Sequence, residues 1–116
     1  MKLLKEKLRK FAEERNWEQF HSPKNLTMAL GGEVGELLDI FQWLKEEESN
    51  LENISDKNLA KTKEELADIF LYIIRLADKL DIDLIQEANN KIETNRTKYP
   101  VNLSKDNAIK YSRRDE

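Results

Sequence analysis

The sequence predicts an all-α protein with a four-helix-bundle-like fold, and three observations support this fold class. Apolar residues recur at helical spacing over most of residues 1–100, no useful length alternates with the two-residue period of a strand, and helix-capping residues separate the periodic stretches. At 116 residues the chain is long enough for one domain with a core, and small enough for oligomerisation to help it. We expect one domain over residues 1–100 and a polar C-terminal tail over residues 101–116.

The first predicted helix runs from Lys2 to Arg15. Leu4, Leu8 and Phe11 fall on one side of it, while lysine, arginine and glutamate fill the other positions. The run from Trp17 to His21 then breaks the helical period. The helix is therefore expected to end before this run.

The second predicted helix, between Leu26 and Leu44, places a carboxylate where a core-facing residue is expected. Ser22-Pro23 reads as an N-cap followed by proline at the first helical position. At about 100° per residue, six apolar side chains form one stripe roughly 100° wide, namely Leu26, Leu30, Leu37, Ile40, Phe41 and Leu44. Glu33 lies inside this stripe, and Glu36 lies at its edge one turn on. An ionised carboxylate on a core-facing stripe is unfavourable without a cation or a donor, so the pattern predicts a partner for Glu33.

Three glycines, Gly31, Gly32 and Gly35, surround Glu33 in the same helix. Each lowers helix stability by about 1 kcal/mol relative to alanine. We therefore expect another group to approach this backbone closely, although the glycines could also serve helix packing alone.

The remainder of the chain predicts two further helices. The polar stretch from Lys45 to Asn58 lacks apolar periodicity and is expected to be a surface connection, with Ser55 or Asp56 capping the next helix. From Leu59 to Leu80 apolar residues cover so much of the circumference that this helix should be central. Asp81 or Asp83 is expected to begin the next segment, a fourth helix. Ile85, Ile92 and Tyr99 mark this helix, and Pro100 ends it.

Composition excludes several classes of protein. The chain has no cysteine, so a disulfide framework, a zinc-thiolate site and a catalytic thiol are unavailable. Charged residues make up 37% of the chain, yet the net charge is only −3, which argues against a partner that is a nucleic acid polymer. The apolar runs are far too short to span a bilayer, so we expect no membrane partner and a cytoplasmic location.

The central helix carries a second acidic pair, Glu65 and Asp68, at the same i, i+3 spacing as Glu33 and Glu36. Tyr72 continues this polar edge one turn further along an otherwise apolar helix. Two antiparallel helices could bring the four carboxylates together, and oxygen ligands without histidine or sulfur suit Mg²⁺ or Mn²⁺.

The same residues could also have a purely structural role. In a chain with 23 acidic residues such pairs also arise by chance as solvated helix faces, and the aromatic residues could simply be core. A di-iron site of the ferritin type is disfavoured, because it requires two Glu-x-x-His elements and His21 is the only histidine.

The motifs together resemble the all-α nucleoside triphosphate pyrophosphohydrolases of the MazG-like superfamily, closest to their dCTP pyrophosphatase branch. The similarity extends over nearly the whole chain and rests on five runs: Trp17 to His21, Gly32 to Leu37, Phe41 to Trp43, Glu64 to Asp68 and Lys91 to Pro100. Leu8 is a departure, because relatives of the dCTP branch can carry a histidine there, and the resemblance therefore leaves the preferred base open.

The resemblance implies roles for individual residues. Four carboxylates match the Mg²⁺ ligands and the catalytic group: Glu33, Glu36, Glu65 and Asp68. Residues matching the substrate site are Trp17, Gln19, Phe20, His21, Trp43, Tyr72, Lys91, Asn95 and Arg96, the last three facing the phosphates. Members of the family assemble as dimers or dimers of dimers, so a homodimer or homotetramer with pockets shared between chains is implied.

The expected activity is hydrolysis of a (deoxy)nucleoside triphosphate, with dCTP or a modified dCTP as the first substrate to test. Two other classes stay open on the residues alone. One is a regulatory protein that binds a nucleotide without cleaving it, and the other is a helical interaction module in which the acidic pairs are surface charge.

Overall fold

A computed structural model of the chain describes residues 1–106 and 108, and within them every regular element is helical. The α-helices are α1 (Lys2–Glu14), α2 (Pro23–Phe41), α3 (Asp56–Lys79), α4 (Leu84–Lys98) and the short α5 (Val101–Ser104). Two 3₁₀ turns, Glu18–Phe20 and Glu46–Ser49, lie in the connections before α2 and before α3. The predicted all-α class is confirmed.

Side-chain caps start α2, α3 and α4 where the sequence predicts them. The Oγ atoms of Ser22 and Ser55 accept hydrogen bonds from backbone amides three residues on, both at 3.1 Å, and the Asp83 carboxylate does the same at 3.0 Å. Because Ser55 caps α3, this helix begins three residues before Leu59, its first apolar residue. Conversely, α2 ends at Phe41 rather than at Leu44, and the chain becomes extended at Lys45.

A Schellman motif ends α1 and sets the direction of the aromatic segment that follows. Asn16 adopts a left-handed conformation with φ of 54°, which asparagine tolerates better than most residues. The Trp17 amide donates to the carbonyl of Ala12 at 2.9 Å, and the Asn16 amide donates to that of Glu13 at 3.1 Å. The Trp17 ring then packs edge-on against Phe11, with 5.6 Å between ring centroids.

The chain divides into two compact units, Met1–Ile82 and a second unit that begins at Asp83. In the first unit α3 is central, because it packs against both α2 and α1. Its buried apolar side chains, among the described residues, are few: Ala12, Leu26, Ile74 and Ala77. The second unit contains α4 and α5.

The C-terminal region is described only in part. Pro100 ends the α4 stretch as predicted, and the short α5 follows it. Residues 107 and 109–116 of the predicted tail lie outside the described part, and the predicted boundary at residue 100 stays a prediction. Over the described residues, no helix is both long enough and apolar enough to cross a membrane.

Candidate active site

Three of the four predicted metal ligands meet where α2 packs against α3. Glu33 and Glu36 lie one turn apart on α2, and Glu65 faces them from α3. One carboxylate oxygen of each lies within 4.8 Å of the others. The helix pair thus concentrates three acidic groups in one place.

Two oxygen atoms of this cluster are buried without a donor. Among the described residues, Glu33 Oε2 and Glu65 Oε2 have no hydrogen-bond partner. A proton on one carboxylate supplies the missing donor, and the resulting bond to Glu33, together with desolvation and the nearby Glu36, raises the pKa of Glu65 to about 7. At neutral pH the Glu65 carboxyl group is therefore protonated in a substantial fraction of the molecules. A cation that binds the three carboxylates would displace this proton.

The donor set fits a hard divalent cation. Carboxylate oxygens are the ligands that Mg²⁺ and Mn²⁺ prefer, and a cation would satisfy both buried oxygens at once. Asp68, the fourth predicted ligand, is exposed and lies outside this group of three oxygens. It lines a different cavity, one turn further along α3.

The three glycines of α2 have open space beside them in the single chain. A Cβ atom built on Gly31, Gly32 or Gly35 would meet none of the described atoms of this chain within 4 Å. Within the described part of this chain no other group approaches these three positions, so the expected close approach to this backbone stays a prediction.

An acidic cleft of about 410 Å³ opens beside the carboxylate cluster. Glu36 and Glu65 contribute to its wall, and Lys61 is the one cation among its lining residues. The other lining residues are Asp39, Ile40, Asn58 and Glu64. The cleft connects the cluster to solvent. Lys61 was not predicted as a site residue, and its position one turn before Glu65 was the signal that could have identified it.

A second cavity, of about 180 Å³, collects several predicted substrate-binding residues. Trp17, His21 and Tyr72 line it together with Asp68. Trp17 and His21 pack edge-on, with 6.2 Å between ring centroids. The rest of the lining is largely apolar, consisting of Leu8, Phe11, Leu26, Leu71 and Arg75. Aromatic faces with a few polar groups suit a flat heterocyclic ligand.

Other predicted substrate-binding residues lie outside this cavity. Phe20 is 58% exposed and Trp43 is 85% exposed. The Gln19 side chain donates to the backbone carbonyl of Asn16 at 3.0 Å, which stabilises the turn after α1. Three others lie on exposed positions of α4 in the second unit: Lys91, Asn95 and Arg96.

An ionic network that was not predicted from the sequence adjoins the second cavity. Arg75 of α3 is only 5% exposed, and it donates to Glu18 and to Asp78. Asp78 also accepts two bonds from Arg9 of α1, at 2.7 and 2.5 Å, and Glu18 also accepts one from Lys79. The available signal was an arginine inside the most apolar run of α3, the same kind of signal that identified Glu33.

The network shifts the pKa values of its acids. The Arg9 guanidinium lowers the pKa of Asp78, and the Lys79 ammonium, with Arg75, lowers the pKa of Glu18. Both carboxylates therefore stay ionised at neutral pH, and they hold α1, the Glu18–Phe20 turn and α3 together.

Comparison with known proteins adds two findings on sequence. A model of the MazG-like family matches residues 29–113. The chain is 49% identical to dCTP pyrophosphatase 1 of Bos taurus and 42% identical to dCTP pyrophosphatase 1 of Homo sapiens, each over 102 residues. These alignments cover 88% of this chain and 60% of each relative, so the chain spans about 60% of the length of the curated relatives it matches.

A solved structure shows the same architecture. The crystal structure of a pyrophosphatase from Archaeoglobus fulgidus DSM 4304 is 37% identical in sequence and superposes with a TM-score of 0.79. The match covers 86% of this chain and 92% of that chain.

Proposed function

Because this chain belongs to the MazG-like family, we propose that it hydrolyses a nucleoside triphosphate to the monophosphate and pyrophosphate. We propose dCTP or a modified dCTP as its substrate, since two similar proteins are named dCTP pyrophosphatase 1. Such an enzyme would cleanse the nucleotide pool, and we propose that it acts in the cytoplasm.

One observation carries this proposal, the three carboxylates that converge between α2 and α3 with two buried oxygens lacking a donor. Glu33, Glu36 and Glu65 would hold Mg²⁺, with Mn²⁺ as a substitute. Asp68 is the candidate for a fourth ligand, because it lies on the same face of α3 one turn from Glu65. When bound, the ion supplies charge neutralisation and Lewis-acid polarisation at the phosphates.

The second cavity is the proposed site for the base. Trp17 and Tyr72 offer aromatic faces there, and stacking of a base on an aromatic side chain contributes about 1–3 kcal/mol in single-stranded nucleic-acid complexes. Lys91, Asn95 and Arg96 are proposed to bind the outer phosphates, because a triphosphate requires cations and donors of this kind. Phe20 and Trp43, both exposed in the single chain, are proposed to help enclose the base and sugar.

The products of the reaction test the proposal. Attack of water at the α-phosphorus gives labelled monophosphate in ¹⁸O water, whereas attack at the γ-phosphorus labels orthophosphate. The chain has no P-loop lysine motif to favour γ-transfer, so we expect the first-turnover label in the monophosphate, measured by mass spectrometry. Label in orthophosphate would contradict the mechanism, and tight nucleotide binding without pyrophosphate release would indicate the regulatory alternative.

We further propose that the protein works as a homodimer or homotetramer. Leu66, on α3, is 53% exposed, and Phe70 one turn on is also exposed, so the central helix leaves apolar surface uncovered in the single chain. Symmetric self-association is the commonest way for a soluble protein to cover such a surface.

Dilution is expected to lower specific activity if subunits share each pocket. Sedimentation velocity and pyrophosphate release, measured at the same series of protein concentrations, should show dissociation and loss of activity over one range. A monomer with full specific activity at every concentration would exclude a shared pocket without affecting the proposed chemistry.

A further inference from the structure

His21 is the only histidine in the chain, and one of its ring nitrogens is occupied by Arg75. The Arg75 Nε–H donates to His21 Nδ1 at 3.3 Å. The nitrogen that accepts a hydrogen bond carries no proton, so the proton of the neutral ring is at Nε2. The second cavity is thus lined by a histidine that can donate from one defined atom.

The surroundings of His21 disfavour its charged form. Burial, followed by the positive charge of Arg75, lowers the pKa of His21. Lys79 acts in the same direction, and Glu18 opposes both. Asp68 and Tyr72 complete the ionisable groups around the same cavity. Protonation at Nδ1 would also set a ring N–H against the N–H of Arg75, where no acceptor would remain between them.

Arg75 is itself held in place by acids on two sides. Glu18, in the turn before α2, and Asp78, on α3, both accept from its guanidinium. Each acid has a second cation, because Lys79 also binds Glu18 and Arg9 also binds Asp78. The guanidinium therefore has little freedom to turn away from His21, and its removal would leave neither acid without a partner.

We propose that Arg75 is a positioning residue that fixes His21 as a neutral ring with its proton at Nε2, so that His21 donates a hydrogen bond to an acceptor atom of the nucleobase. The role of His21 toward a base rests on the proposed function, whereas its tautomer does not. Leu8, on the wall of the same cavity, has no polar atom, so the N–H of His21 is one of the few directional donors there, beside those of Trp17 and Tyr72. A ring carbonyl oxygen is the acceptor that this donor would select.

NMR of the single histidine tests the tautomer without any ligand. In protein labelled with ¹⁵N-histidine, long-range ¹H–¹⁵N correlations are expected to show an unprotonated Nδ1 and a protonated Nε2 at neutral pH. In Arg75→Met the tautomers should mix, and the pKa of the ring should rise toward the ordinary value for histidine. Lys79→Met is the matched control, because it also removes a cation from Glu18 but makes no bond to His21, and it should keep the wild-type tautomer.

Kinetics test the recognition step. With dCTP and Mg²⁺, Arg75→Met is expected to raise KM about tenfold and to change kcat little, because the carboxylates of α2 and α3 are untouched. A wild-type protein with its proton at Nδ1, or an Arg75→Met variant with wild-type tautomer and KM, would overturn the inference. Wild-type protein that has the Nε2–H tautomer but turns over no nucleoside triphosphate would overturn the proposed hydrolysis and support the positioning of His21 by Arg75.

Discussion

Replacing Glu65 by glutamine is expected to lower pyrophosphate release by at least about 100-fold, because metal coordination contributes several kcal/mol to transition-state stabilisation and each 1.36 kcal/mol is a factor of ten in rate. The same substitution should raise the melting temperature of the metal-free protein. Without a cation, Glu65 lies against Glu33 and Glu36, and a neutral amide removes this repulsion and can donate to Glu33. Activity and stability should therefore change in opposite directions.

Enzyme assays and thermal melts with and without Mg²⁺ measure both effects. Mg²⁺ should stabilise the wild type more than Glu65→Gln, because only the wild type offers the complete set of carboxylates. Glu52→Gln, the same chemical change on an exposed carboxylate, serves as the control and should leave both readouts unchanged. Alanine at Glu33, Glu36 or Asp68 should also remove most activity while preserving the helical circular-dichroism spectrum. Wild-type turnover in Glu65→Gln would contradict the metal assignment.

Asp78→Ala is expected to destabilise the folded protein by about 3 kcal/mol at pH 7. The Asp78 side chain is 8% exposed, and its loss leaves Arg75 buried with one partner fewer and removes the link to Arg9 on α1. Removal of one partner from a buried ion pair destabilises proteins by roughly 3–5 kcal/mol, and the lower end applies because Arg75 keeps Glu18. Urea unfolding measures the difference.

The dependence of this effect on pH follows from the lowered pKa of Asp78. Because the folded state binds the proton less tightly than the unfolded state, the stabilisation is complete above the unfolded pKa of about 3.9. It is lost as the pH falls through the lower folded value, so wild type and Asp78→Ala should converge in strongly acidic solution. Glu14→Ala, which removes an exposed 3.9 Å pair with Lys10, should change stability by less than about 0.5 kcal/mol at any pH. Equal effects of the two substitutions would contradict the structural role of Asp78.

The helices could be predicted from the sequence because their signals are local. Ser22, Ser55 and Asp83 cap their helices through hydrogen bonds to residues three positions away, so a short window of sequence contains the whole interaction. Glu33 was identified because a charge on an apolar stripe is also visible locally, and one of its oxygens is buried. The family resemblance used residues in their order along the chain, and the match to the MazG-like family confirms it.

The contacts between distant segments could not be predicted in the same way. Arg75 meets Glu18 and His21 across more than fifty positions of sequence, and periodicity within one helix gives no indication of such partners. The place of Asp68 illustrates the same limit. Spacing puts it beside Glu65, but the crossing of α2 over α3 decides which carboxylates converge, and in the structure Asp68 lines the aromatic cavity.

The length of α3 between Glu65 and Arg75 is a constraint on how this protein can evolve. Glu65 of the carboxylate cluster and Arg75, which donates to His21, are ten positions apart on one unbroken helix, a distance of about 15 Å along the axis. A single inserted or deleted residue between them would rotate one group by about 100° relative to the other, so the two could not act on one nucleotide as we propose. Substitutions inside this segment can change the carboxylate cluster or the contact between Arg75 and His21 separately. A change in its length would alter both at once. We therefore expect related proteins to differ in this part of α3 by substitutions and not by insertions or deletions.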